Sequence, residues 1–171
     1  VDTNGIDIEI NYSFDTDFGS LNIGVRGTHI LKYEIPDASG GSRDVVGLFN
    51  HDNFARSLPE TKIILNADLI NNRHTFSLLS RYTSDYKTTR VLSSSAVDLG
   101  YNQNIDEWLS IDSRYKYSFE FNENQMQFSL GIKNIFDEEA PQVYDAANFS
   151  YDPRQHDPRG RLTYIGLKLL R

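Results

Sequence analysis

The chain has no cysteine, and that one absence removes disulfides, thiolate metal sites and cysteine nucleophiles together. It leaves the compartment open. Long apolar runs are missing too. No stretch approaches the roughly 20 residues that a membrane-spanning helix needs, and mean hydropathy is −0.50. A β-barrel escapes that exclusion, because only alternate residues of its strands must be apolar. Bases are outnumbered, with 17 Lys and Arg against 24 Asp and Glu and a net charge of −7. The basic patch that nucleic-acid binding requires is therefore not expected. Also lacking are a Gly-x-Ser-x-Gly elbow, a phosphate loop, a dinucleotide fingerprint and a His-Glu-x-x-His pair, so no motif points to an enzyme. Ser93–Ser95 lies near Asp98 without a neighbouring histidine and reads as loop. Tryptophan and methionine occur once each, while 10 Tyr and 10 Phe supply a strand-favouring aromatic content.

What is present is alternation. Seven strand candidates emerge: Asn4–Asp15, Ser20–Ile35, Thr61–Ile70, Arg73–Tyr86, Glu107–Glu120, Gln125–Phe136 and Arg159–Leu170. Nothing reads as a helix. In the second strand Leu21, Ile23, Val25, Gly27, His29, Leu31, Tyr33 and Ile35 share one face. Asn22, Gly24, Arg26, Thr28, Ile30, Lys32 and Glu34 share the other. The first strand sets Ile6, Ile8, Ile10, Tyr12 and Phe14 against Asp7, Glu9, Asn11 and Ser13. Nearly every charge falls on one side, with His29 and His74 the main polar intrusions on the other. A lipid-facing surface demands such segregation, but the inner faces of a soluble β-sandwich produce the same pattern.

The connections separate these readings. Asp15–Gly19, Asn71–Asn72 and Phe121–Asn124 are short and turn-like. Pro36–Glu60, Lys87–Asp106 and Asp137–Pro158 are long, and all five prolines lie in or beside them. Short and long links in strict alternation place tight turns at one end of an antiparallel up-and-down meander and large loops at the other. Structureless loops of about 20 residues are uncommon in compact soluble domains, whereas outer-membrane barrels have this asymmetry. Most strands exceed the soluble average of about 5–6 residues. Tyr12, Phe14, Tyr33, Tyr82, Tyr86, Tyr117 and Phe119 collect near strand ends, as interfacial girdles do.

The stretch LGIKNIFDEEAP, followed by YDPRQHDPRGRLTYIGLKLL, resembles the C-terminal end of TonB-dependent outer-membrane receptors. In that family an Asn-Leu-Phe-Asp-like segment closes the penultimate strand, and a Gly-Arg pair opens the last one after a long loop. The matching residues are Asn134, Ile135, Phe136, Asp137, Gly160 and Arg161, a signature placed at the rim between strand and loop. TNGIDIEINYSF, SLPETKIILNADL and RYTSDY add weaker likenesses upstream.

The resemblance implies an all-β fold that forms the C-terminal part of a transmembrane β-barrel of about 22 strands. It implies a bacterial outer-membrane location and lipid around the barrel. The implied activity is uptake of a scarce ligand, such as a siderophore, cobalamin, haem or an oligosaccharide, with energy delivered by TonB. Expected partners are an N-terminal plug domain and the remaining strands; TonB would act through a region upstream. No cofactor and no resident metal is expected. The chain is expected to be a fragment, since plug, signal peptide and earlier strands are lacking and an odd strand count would put Val1 on the outer side. One departure is the ending Leu169-Leu170-Arg171, where the family usually ends in an aromatic. The competing expectation is a soluble β-sandwich or β-barrel module binding carbohydrate.

Within a barrel, the lumen-facing candidates are Arg26, Lys32, Asp68, Arg81, Asp112, Arg114, Lys116 and Lys133. They guide ligand or pair with one another across strands. Tyr101, Tyr144, Phe149 and Tyr151, with Phe49 and Phe54, stack on a ligand's rings or pack the loops together. The acidic final loop, with Asp137, Glu138, Glu139, Asp145, Asp152, His156 and Asp157, lacks regular ligand spacing, and so does His51-Asp52. Both read as solvated loop rather than cation sites.

Overall fold

The structure, a computed structural model, describes residues 1–144 and 150–170. In chain order the elements are β1 (Asp2–Thr16), β2 (Gly19–Pro36), β3 (Ser42–Asp44), β4 (Leu48–Phe49), β5 (Ser57–Leu58), β6 (Thr61–Asn71) and β7 (His74–Thr83). They continue as β8 (Tyr86–Thr88), α1 (Ser94–Asp98), β9 (Asn104–Ile105), β10 (Trp108–Phe121), β11 (Asn124–Lys133) and β12 (Leu162–Leu170). The long strands form one antiparallel meander, β1-β2-β6-β7-β10-β11-β12, with β3 added to β2. β1 and β12 are its two edges and do not pair with each other, so no closed barrel forms among the described residues.

Asn72 (φ 52°), Asn122 (φ 48°) and Glu123 (φ 63°) take the left-handed conformation that tight hairpins require. Pairing in register carries the faces across the sheet. Ile10, Val25, Leu65, Ser80, Ile111 and Ile132 belong to one face, and Asn11, Gly24, Asn66, Arg81, Asp112 and Lys133 to the other. Between Ile6 and Leu169 no Asp, Glu, Lys or Arg occupies any paired position on the first face. That face is uncovered: Ile8 is 50% exposed, Leu78 50% and Ile165 72%. On the polar face the Tyr164 ring lies across Gly131, its partner on β11, in space that a Cβ would occupy.

Several expectations need correction. The pairing of β1 and β2 shifts between Asn4 and Gly5, leaving Leu31 as an extra residue. An extra residue inverts the alternation beyond it. Tyr33 and Ile35 therefore leave the apolar face, and Ile35 is buried at 2% exposure. Lys32, a lumen-facing candidate, now pairs with Asn4, which is in phase with Ile6 rather than with Asp7. It bonds Asp2 (2.9 Å) and Glu34 (3.1 Å) there.

The single strand expected over Arg73–Tyr86 is two, β7 and β8, interrupted where Ser84 N–H donates to the Thr61 carbonyl (2.9 Å). β11 stops at Lys133 rather than Phe136, and β12 starts at Leu162 rather than Arg159. The long connections are not structureless. They build a second, mixed sheet, β5-β4-β8-β9, in which β4 and β8 run parallel. They also contain the short helix α1, whose N-cap Ser93 Oγ accepts from Ala96 N–H (3.2 Å). Tyr86, grouped by sequence with the interfacial aromatics, lies in this loop layer, where it packs with Ile105, Val143 and Phe49.

Candidate functional site, a loop-capped cleft on the polar face

The segment Asn134–Asp137 forms a clamp. Asn134 (φ 51°) and Asp137 (φ 60°) turn the chain sharply. The Asn134 side chain brackets Glu138, donating to its carbonyl (2.8 Å) and accepting from its N–H (2.9 Å). Asp112 Oδ1 accepts from Asn134 N–H (2.9 Å), which ties the turn to β10. Asp137 Oδ1 accepts from Arg161 N–H (2.6 Å), and Arg161 Nη2 stands 3.6 Å from Asp137 Oδ2. Gly160 has φ 62°, and a Cβ there would lie 2.9 Å from Asp137 Oδ1. Phe136 takes no part and is 72% exposed.

Below this clamp, the final loop folds over the polar face of β10. Tyr86 Oη donates to Asp152 Oδ2 (2.9 Å), so a buried carboxylate joins β8 to that loop. Burial first, then the Asp152 charge, pushes the Tyr86 phenol well above its ordinary range. Asp152 also organises its own turn: its side chain accepts from Arg154 N–H (3.0 Å), and its carbonyl accepts from His156 N–H (3.0 Å). The turn inserts His156 between two rings. It stacks on Tyr86 (6.0 Å, 25°) and meets Trp108 edge-on (5.7 Å, 73°). The result is a cleft of about 480 Å³ lined by residues of β7, β10 and β11 and by the segment 151–162.

Of the lumen-facing candidates, Arg81, Asp112 and Lys133 line this cleft. Arg81 pairs with Asp112 at 3.0 Å. Arg26 pairs with its cross-strand neighbour Glu9 at 2.9 Å, and Asp68 accepts from Ser77, both outside the cleft. Arg114 and Lys116 occupy polar-face positions nearer the tight turns. Of the aromatic candidates among the described residues, only Tyr151 lines the cleft. Tyr101 and Tyr144 pack on each other (5.5 Å), and Phe149 lies outside the described residues. Among the described residues no three His, Asp or Glu side chains converge as a metal site.

Sequence reasoning missed Trp108, Arg154, Gln155 and Arg159. The available signal was the lone tryptophan, set in phase with Ser110, Asp112 and Arg114 rather than with Leu109 and Ile111.

Burial holds the His156 pKa below its ordinary value; Asp152 opposes that shift and Lys62 adds to it. The folded chain thus takes up fewer protons at this site than the unfolded chain. The loop layer should have its full stability above pH about 6.5 and lose it as pH falls toward the depressed folded value. In detergent micelles the urea midpoint read by Trp108 fluorescence should drop between pH 7.5 and 5.5 in the parent. In His156→Phe that slope should largely vanish, and an equal slope in both would contradict the assignment. Arg159 similarly holds Asp157 below the usual carboxylate range, bonding it at 2.6 Å.

Set against known proteins, the chain matches no protein-family model, no curated protein and no solved structure.

Proposed function

We propose that this chain is part of the barrel wall of an outer-membrane active-transport receptor of the TonB-dependent kind. The observation that carries the reading is the face of the meander that is uncharged at every paired position between Ile6 and Leu169, across seven strands, while Asp2, Lys32 and Glu34 lie beyond the Leu31 irregularity at one end. A cation facing mid-bilayer lipid costs about 2–4 kcal/mol, which selects for this segregation. Strand length supports it, from 9 residues in β12 to 18 in β2, against about 9–11 for a membrane strand. The layout of the links supports it as well, with tight turns at one end and the three long connections at the other.

In this reading the apolar face meets lipid, and the polar face lines the lumen toward a plug domain. Further strands continue from the edges β1 and β12 to complete a barrel of about 22. The Asn134–Asp137 clamp marks the extracellular rim, and the loop layer is the outer surface that a siderophore, cobalamin, haem or oligosaccharide meets first. The chain acts in uptake rather than as an enzyme, with TonB engaging a region outside it.

The test is solubility. In detergent-free buffer the chain should aggregate, because it exposes two sheet edges and a broad apolar face. In detergent micelles or phospholipid vesicles it should be β-rich and disperse. A monodisperse, cooperatively unfolding monomer in plain buffer would overturn the receptor reading in favour of a soluble binding module.

A further inference from the structure

Among the described residues, four buried side-chain polar atoms lack a hydrogen-bond partner, and they sit together: Trp108 Nε1, Gln155 Oε1 and both ring nitrogens of His156. Buried polar groups are nearly always paired, so a cluster of unpaired ones calls for something to pair with. Trp108 is 4% exposed and His156 5%, and all three residues line the cleft. The indole N–H and one imidazole N–H are donors, while the second imidazole nitrogen and Gln155 Oε1 accept. Gln155 cannot turn away freely, since its Nε2 donates to Ser57 Oγ (3.0 Å).

Charge is the second, independent observation. The lining contains four cations, Arg81, Lys133, Arg154 and Arg159, against two carboxylates, Asp112 and Asp157. Each carboxylate already bonds an arginine, Asp112 with Arg81 and Asp157 with Arg159. Lys133 also acts on Asp157, and the cations of the lining exceed its carboxylates by two, in a chain whose net charge is −7. A local positive surplus on an acidic protein focuses anions toward one place.

We infer that the cleft binds the oxyanion of a small molecule, a carboxylate or a phosphate group. Lys133 and Arg154 supply its counter-charge, and the unpaired polar atoms of Trp108, Gln155 and His156 lie just behind the wall that it contacts. This deepens the transport reading, on which it rests for the ligand's being cargo.

Trp108 is the sole tryptophan, so its emission reports on the cleft directly. The chain in detergent micelles is titrated separately with sodium phosphate and sodium citrate, with sodium chloride holding ionic strength constant. A saturable change with either anion is expected, and which anion produces it identifies the group. Affinity should fall about tenfold in Lys133→Gln and again in Arg154→Gln, each removing a charge-assisted bond. It should be unchanged in Lys87→Gln, an exposed β8 residue outside the lining. Lys133 and Arg154 are both exposed, so the two variants should keep the parent's circular dichroism. Emission that follows ionic strength alone, or equal affinity in all three variants, would overturn the inference. Binding is read in micelles and lipid-facing character by bilayer partition, so either reading can fail while the other stands.

Discussion

Arginine at Leu65 should weaken association of the chain with phospholipid vesicles by about 2–4 kcal/mol, roughly 30- to 1,000-fold in the partition constant. Leu65 lies at the middle of β6, between Val25 on β2 and Ser80 on β7, and shares the uncharged face. In a bilayer this position would be at mid-depth, where a guanidinium has no water and no counter-ion. The adjacent residue Asn66 points to the polar face, and Asn66→Arg should change partition by no more than about 0.5 kcal/mol. Depth distinguishes lipid from a protein core. Phe119→Arg, two residues from the end of β10, should cost only about 0–1 kcal/mol, as positions near the interface do. Equal losses at Leu65 and Phe119, or equal losses at Leu65 and Asn66, would exclude a lipid-facing surface.

The second large effect is at the rim clamp. Asp137→Ala removes the 2.6 Å acceptor of Arg161 N–H together with the carboxylate that stands 3.6 Å from the Arg161 guanidinium. A hydrogen bond to a charged group contributes about 1.5–3 kcal/mol, and the unfolding free energy should fall by about that much. Gly160→Ala should cost about 1–2 kcal/mol for placing a Cβ in the left-handed region, with a further loss from crowding Asp137 Oδ1 at 2.9 Å. The two substitutions should therefore not add: without Asp137, alanine at 160 keeps the backbone strain but loses the clash. Urea unfolding of the parent, both single variants and the double variant in detergent micelles measures that coupling. A strictly additive cycle would mean that Asp137 and Gly160 do not act as one clamp.

Much of the sheet was legible from local pattern. Ile6 through Phe14, and Leu21 through His29, announce their faces because successive side chains of a strand point oppositely. Asn72 and Asn122 announce the turns, since asparagine tolerates left-handed backbone. The clamp was half legible. Asn134, Asp137, Gly160 and Arg161 stood out as residues, but the bond from Asp137 to Arg161 spans 24 positions and has no local signature. The cleft was least legible, because Tyr86 meets Asp152 across 66 residues and neither flanking sequence hints at the other.

By itself the sequence determined a long-stranded antiparallel meander, with charge on one face and apolar residues on the other. Period-2 patterning and turn chemistry act between near neighbours, and nothing more distant is needed to read them. Only the tertiary structure decided where that pattern breaks and what lies over it. The single extra residue at Leu31 reverses every side chain beyond it, which sends Lys32 to one face and buries Ile35 on the other. The loops became a second sheet over the polar face, enclosing Trp108 and His156, because their stabilising contacts are non-local. Such contacts exist only once the meander has brought the three long connections to the same end.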